Sequence, residues 1–434
     1  MKRKIINSFI ILSTSSAITK LFSMLNRILL ARILPMEALS LFILVMPSLS
    51  MCITLGQLGI PSAIFRLIAN PTYQNKKVMI TGCIISSISC FFISIGLILF
   101  APYISNSLLH NKEAYLPLVC LAIYIPFIGV SGILKNYFLA KENIYLIAKA
   151  QLIEEIMRLL FICVTLVNIQ NNDNSILVSI AVMSMIVGEL FGIIYMFIRL
   201  SNKPKYFFEL LPNFKEHLIV KQIMSIALPV TGSRLYHSLV SFLEPIILLS
   251  ILSSRLSSSQ IQYQYAIING FVLSLLITPT FFNNVIYRIF LPIVTRDVVT
   301  NNYKNIHSHL LLALLGSFSI SIPFTCLFYF FPETCLSFLY NTTEGASYLQ
   351  YLSIPFILFY LQTPLSAVIH ALNKNKIIFA ISFIECSIEI VLTYVLASTY
   401  GVFSIAISLL VGTILTLFLS VLTIFYFVYL KSRY

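Results

Sequence analysis

Charged side chains set into long apolar stretches are the positions of this chain best able to do chemistry. Ser13, Ser16, Lys20 and Arg27 follow one another in steps of three, four and seven. Those steps keep them on one stripe of an α-helix, with the two cations roughly 10 Å apart at 1.5 Å per residue. Arg234, His237 and Glu244 repeat the pattern in steps of three and seven. Asn283, Asn284 and Arg288 come after Pro279, and Arg66 closes an earlier apolar run in a similar place. These nine residues, Lys20 to Arg288, form the candidate binding set. Two positive stripes suit an anion, with His237 and Glu244 placed to orient hydroxyl groups or sense protonation. A plainer reading also fits: long cationic side chains can snorkel to a membrane surface, and Arg66 and Arg288 can simply mark helix ends.

A second set is acidic. Glu154 and Arg158 stand one helical turn apart and can pair, either as a structural staple or around a carboxylate that gains and loses a proton. Glu385 and Glu389 have the same spacing with like charge, and their repulsion favours one shared proton. Glu189 stands alone in its apolar run, while Lys135 and His370 are expected at cytoplasmic helix ends, against phospholipid head groups. No phosphate-binding glycine loop, nucleophile elbow or metal signature occurs, so neither catalysis nor a resident cofactor is expected. Any energy for transport then comes from a proton, sodium or the membrane potential.

Membrane helices must position these groups. Hydrophobic residues make up 59% of the 434 and charged residues 10%, against about 25% charged in globular proteins. Runs long enough to span a bilayer lie at about 5–30, 38–60, 78–101, 114–138, 147–168, 175–199, 223–252, 262–287, 308–331, 346–371, 377–398 and 402–430. The expectation is an all-α integral membrane protein of twelve spans. Its net charge of +13 is not a nucleic-acid signal, because the basic residues concentrate in every second loop, whereas the alternate loops hold only Arg32, Lys112 and Arg255. That asymmetry puts both termini in the cytoplasm, with the apolar N-terminal run read as a retained helix rather than a signal peptide. Eight cysteines without CxxC pairs read as small hydrophobes.

The chain also repeats itself. Ile125-Pro126-Phe127 returns as Ile354-Pro355-Phe356, Glu154 as Glu385 and Pro47 as Pro279, at nearly constant separation. Two six-helix lobes, 1–200 and 223–434, joined by a charged cytoplasmic linker at 201–222, account for this. Six is even, so the repeats are parallel, and a substrate site is expected in a central cavity on their shared axis. The matched prolines suggest shared bends.

Residues 19–69, TKLFSMLNRILLARILPMEALSLFILVMPSLSMCITLGQLGIPSAIFRLIA, resemble the opening of the polysaccharide-exporter family in its stage V sporulation protein B branch. AQLIEEIMRLL at 150–160 and LLITPTFFNNVIYRIFLPIVTR at 275–296 resemble that family's fifth and eighth helices. The branch is similar to lipid II flippases, within the multidrug/oligosaccharidyl-lipid/polysaccharide superfamily. The resemblance implies a flippase that carries an undecaprenyl-pyrophosphate-linked saccharide, such as a peptidoglycan precursor, to the outer leaflet of the bacterial cytoplasmic membrane, with cell-wall synthesis proteins as partners. By position, Lys20, Arg27 and Arg66 match the cavity cations of that family, and Arg234 matches more loosely. Many relatives have fourteen helices, the last two grooved for the lipid tail; this chain is expected to have twelve. A multidrug and toxin extruder is the competing transporter; it would present acidic and aromatic groups to cationic drugs. A membrane scaffold for wall or spore assembly is the non-transporting alternative.

Overall fold

All regular structure is helical among the residues described by the computed structural model, which are 2–68, 75–141, 143–166, 173–200, 217–300 and 302–430. An apolar chain in lipid has no other open-ended choice, because only a helix satisfies its backbone groups within one segment. The chain divides into two compact units, Met1–Phe242 and Leu243–Tyr434, with the boundary inside a long helix. Most of the expected linker, 201–216, lies outside the described residues.

The first unit contains α1 (Lys2–Ile33), α2 (Met36–Gln57), α3 (Ile60–Ile68), α4 (Asn75–Tyr103), α5 (Tyr115–Ala140), α6 (Ile144–Thr165), α7 (Asn174–Arg199) and most of α8 (His217–Leu252). Helices α5, α6 and α7 pack on one another, α1 lies on α6, and α2 and α4 lie on α5. The expected span 38–60 ends early: Leu58 and Gly59 take left-handed φ values of 47° and 63°, and α3 restarts the helix. A Cβ on Gly59 would sit 2.7 Å from the Ala227 carbonyl oxygen, so that turn needs glycine for both its φ and its close approach to α8. Ile60, Ile64, Met79, Leu134 and Ala227 are buried in the core around this turn.

The second unit begins with the end of α8 and continues through α9 (Ser258–Tyr265), a π-helical stretch (Ala266–Leu273), α10 (Ser274–Ile277), α11 (Thr280–Val299) and α12 (Tyr303–Phe330). It closes with α13 (Pro332–Tyr340), α14 (Ala346–Ser353), α15 (Ile357–Ala371), α16 (Asn375–Tyr400) and α17 (Ser404–Ile424). Helices α11, α12, α15 and α17 surround a core that includes Val294, Ile306, Val368 and Ile424.

By length and apolarity, seven of the described helical stretches can cross a membrane, rising to nine when two bent pairs each count as one span. One of the seven, Asn375–Val428, holds both α16 and α17. Helix α6 stands outside that number because Lys149, Glu154, Glu155 and Arg158 crowd its 22 residues. Large apolar side chains such as Phe92, Leu99 and Phe100 of α4 are more than 60% exposed, as a lipid-facing surface requires.

The matched prolines behave differently in the two units. Pro47 and Pro126 lie inside continuous helices. Pro279 stands at a 41° bend between Ser258–Ile277 and Thr280–Val299, and Pro355 at a 48° bend between Ala346–Ser353 and Ile357–Ala371. A proline leaves the carbonyl four residues earlier without its donor. For Pro126 that carbonyl is Ala122, and the Ser94 hydroxyl of α4 donates to it. For Pro364 of α15 it is Tyr360, which accepts instead from Asn283 Nδ2 of α11 at 3.0 Å. The Tyr360 hydroxyl in turn donates to the Leu276 carbonyl, just ahead of the Pro279 bend. The two broken segments of the second unit therefore satisfy each other's backbone.

Candidate functional site

Within the first unit, α5, α6 and α7 each bring one charge to a common point. Lys135 Nζ lies 2.9 Å from Glu154 Oε2 and 2.9 Å from Glu189 Oε1. The Tyr124 hydroxyl donates to Glu189 Oε2 at 3.3 Å, and both residues are buried. Glu154 reaches this point because α7 is notched. A Cβ on Gly192 would collide with the carboxylate of Glu154, and one on Gly188 would lie 2.7 Å from its backbone oxygen. Around this triad, Arg158 sits in the fields of Glu155, Tyr124, Arg27 and Glu189. Asn26 of α1 donates to the Glu155 carboxylate at 2.7 Å and to its carbonyl at 3.0 Å. Lys135 and Arg158 thus lie among Glu154, Glu155 and Glu189, with the exposed Arg27 within electrostatic reach of Arg158. A buried charge is costly unless paired, and this set is balanced by its own side chains.

The second unit repeats the notch without the balance. Gly412 of α17 faces α16, where a Cβ would lie 2.9 Å from Glu389 Oε1 and 3.3 Å from Glu385 Cγ. Glu389 feels the charges of Glu385 and of Glu244 on α8, and Glu244 also acts on Tyr265. Among the described residues none of these three carboxylates makes an ion pair. Gln362 and Thr416 face Glu385, yet Gln362 Nε2 and Thr416 Oγ1 are buried and close no hydrogen bond of normal geometry. Three acids beside polar groups left open make an environment suited to a small cation or a proton.

The expected residues fall into distinct places. Lys20, Arg27, Arg66, Arg234 and His237 are all exposed, and Glu244 is partly buried. Among the described residues the side chains of Lys20, Arg66 and Arg234 make no hydrogen bond or ion pair. Asn283 is 1% exposed and holds the Tyr360 carbonyl, which gives it a backbone-bracing role. The side chains of Asn284 and Arg288 lie outside those described.

Three expectations are corrected. Glu154 does not pair with Arg158: the Gly192 notch turns its carboxylate away from its own helix and toward Lys135. Lys135 is a core counter-ion rather than a head-group contact, and Glu189 is its second acid rather than a lone charge. Sequence reasoning passed over this triad because its members come from three helices. The available signal was a lone charge inside each of the two apolar runs flanking the charged helix of Glu154, Lys135 in one and Glu189, beside Gly188 and Gly192, in the other.

Comparison with known proteins agrees with this architecture. The family model described as "Polysaccharide biosynthesis protein" matches residues 5–297, and the MatE model matches 290–395. Stage V sporulation protein B of Bacillus subtilis (strain 168) is 25% identical over 441 residues, covering 98% of this chain and 84% of that protein. Sporulation protein YkvU of the same organism is 19% identical over 91% of this chain and 88% of that protein. Among solved structures, the inward-facing conformation of a multidrug resistance MATE family transporter superimposes with a TM-score of 0.72 at 14% identity, over 98% of both chains. A MOP superfamily transporter from Pyrococcus furiosus, described as having a binding pocket of reverse polarity, gives 0.67 at 15% identity, over 98% of this chain and 95% of that one. Helices carrying charge within apolar runs in both units, a MATE-like fold and a family match across two thirds of the sequence lead to one assignment: the chain belongs to the polysaccharide biosynthesis protein family.

Proposed function

We propose that this protein is a non-enzymatic flippase that carries an undecaprenyl-pyrophosphate-linked saccharide, such as a peptidoglycan precursor, from the inner to the outer leaflet by alternating access. The observation that carries the reading is the exposure of Lys20, Arg27 and Arg234 on long helices of an apolar chain. Such a charge at bilayer depth costs about 2.5–3.5 kcal/mol even on insertion scales, so it belongs in a water-filled path where an anion can meet it. Pyrophosphate is the anion that a polysaccharide exporter would handle. In this reading Arg66 and Arg288 serve the inner mouth, while His237 and Glu244 orient sugar hydroxyls or sense protonation. The twelve expected spans form two parallel six-helix lobes, and both termini lie in the cytoplasm of a bacterial cell. The sporulation names of both relatives support a role in spore or cell-wall assembly. The open acidic cluster of Glu244, Glu385 and Glu389 supports coupling to a proton or a sodium ion.

The test is depletion followed by measurement of which leaflet holds labelled lipid-linked precursor. Arg27→Ala and Arg234→Ala should each reduce outward transfer at least tenfold while leaving membrane insertion intact. Wild-type transfer in both variants refutes the assignment. The MATE-like fold and the acidic cluster favour a second reading, extrusion of cationic drugs. Unchanged precursor accessibility together with altered drug efflux would select it, and no change in either would select a scaffold.

A further inference from the structure

The two units solve the same problem of buried acid in different ways. Each sets carboxylates of its fifth expected span against a glycine of its sixth: Glu154 at Gly192, and Glu385 with Glu389 at Gly412. In the second unit the acids have no ion-pair partner among the described residues. In the first, one ammonium lies 2.9 Å from a carboxylate oxygen on either side. That spacing resembles the contacts of a large monovalent cation with oxygen. Tyr124 Oη beside Glu189 would be a neutral oxygen ligand of the same pocket. A further lone-pair atom is already present, since Glu154 Oε1 is buried and accepts no hydrogen bond.

We propose that Lys135 is a tethered cation filling a monovalent-cation site formed by Glu154, Glu189 and Tyr124, so that the acid site of the first unit is permanently loaded. An ion dependence of this protein then originates in the second unit alone. Removal of the amine leaves a pocket with two carboxylates, one hydroxyl and the volume of an ammonium group. Such a pocket takes free ammonium or potassium in preference to a bulky organic cation. The argument rests on the first unit's own geometry and stands whatever substrate is carried.

The test is chemical rescue of the full-length protein in detergent, read as melting temperature. Lys135→Ala should melt below wild type. Ammonium or potassium chloride at several times Kd should raise its Tm by about 1 °C more than equal choline chloride does. The increment is counted above the wild-type response, to which the acids of the second unit can contribute, and it should vanish in Lys135→Ala combined with Glu154→Gln and Glu189→Gln. A monodisperse Lys135→Ala protein with no increment overturns the proposal, as does an increment that persists in the triple variant. Should Lys135→Ala not be recovered, Lys135→Met with Glu154→Gln removes one charge of each sign and keeps Glu189. That variant should respond more weakly to the same salts, and complete indifference there also overturns the proposal. Leaflet transfer enters none of these measurements, so failure here is separable from failure of the flippase reading.

Discussion

Gly192→Ala isolates the contact that organises the first unit. The added methyl would lie 2.6 Å from Glu154 Cδ and closer still to Oε1 and Cγ, all well inside van der Waals contact. Two routes relieve the overlap. Helices α6 and α7 can separate, an overpacking strain of about 1–3 kcal/mol. Alternatively the carboxylate can leave Lys135, breaking a buried pair at about 3–5 kcal/mol. The cheaper route sets the cost, and so severe an overlap puts it near the top of that route's range. Alanine regains about 0.5–1 kcal/mol of helix preference, which leaves a net loss of about 2 kcal/mol. Gly96→Ala on α4 is the matched control, because nothing lies within 4 Å of its Cβ position. It should be neutral or stabilise by up to about 1 kcal/mol. Both are read by thermal unfolding in one detergent. A double-mutant cycle with Glu154→Ala should then reverse the sign of Gly192→Ala, since the clashing atoms are gone. Equal behaviour of the two glycine variants, or a penalty that survives Glu154→Ala, refutes the reasoning.

Tyr360→Phe and Asn283→Ala each strip a donor from a carbonyl near a break, at about 1–3 kcal/mol apiece by chemical denaturation. Because Tyr360 takes part in both bonds, the double variant should lose less than the sum of the two singles. Glu389→Gln removes one of three mutually repelling carboxylates, so folded stability should hold or rise while any proton or sodium dependence of transport is lost. Lowered stability with retained ion dependence counts against a coupling role for the cluster.

Helix placement was legible because apolar length in this chain is almost a direct readout of span. The expected runs 175–199 and 377–398 differ from α7 and α16 by no more than two residues at any end. Breaks were less legible. Pro47 and Pro279 look alike in sequence, yet only Pro279 stands at a bend. Charge partners were least legible. The i,i+4 rule paired Glu154 with Arg158 along one helix, whereas burial rewards pairing across helices wherever a glycine opens the way. The repeat survives in those notches, where Glu154 meets Gly192 and its match Glu385 meets Gly412.

The two bonds of Tyr360, its carbonyl accepting from Asn283 and its hydroxyl donating to the Leu276 carbonyl, carry a mechanical consequence. Straightening the chain at Pro279 would pull Leu276 or Asn283 away from Tyr360 and strand a carbonyl in a dry interior, so α15 clamps that corner from both sides. Flexure at Pro279 therefore either carries α15 with it or breaks one of those two bonds.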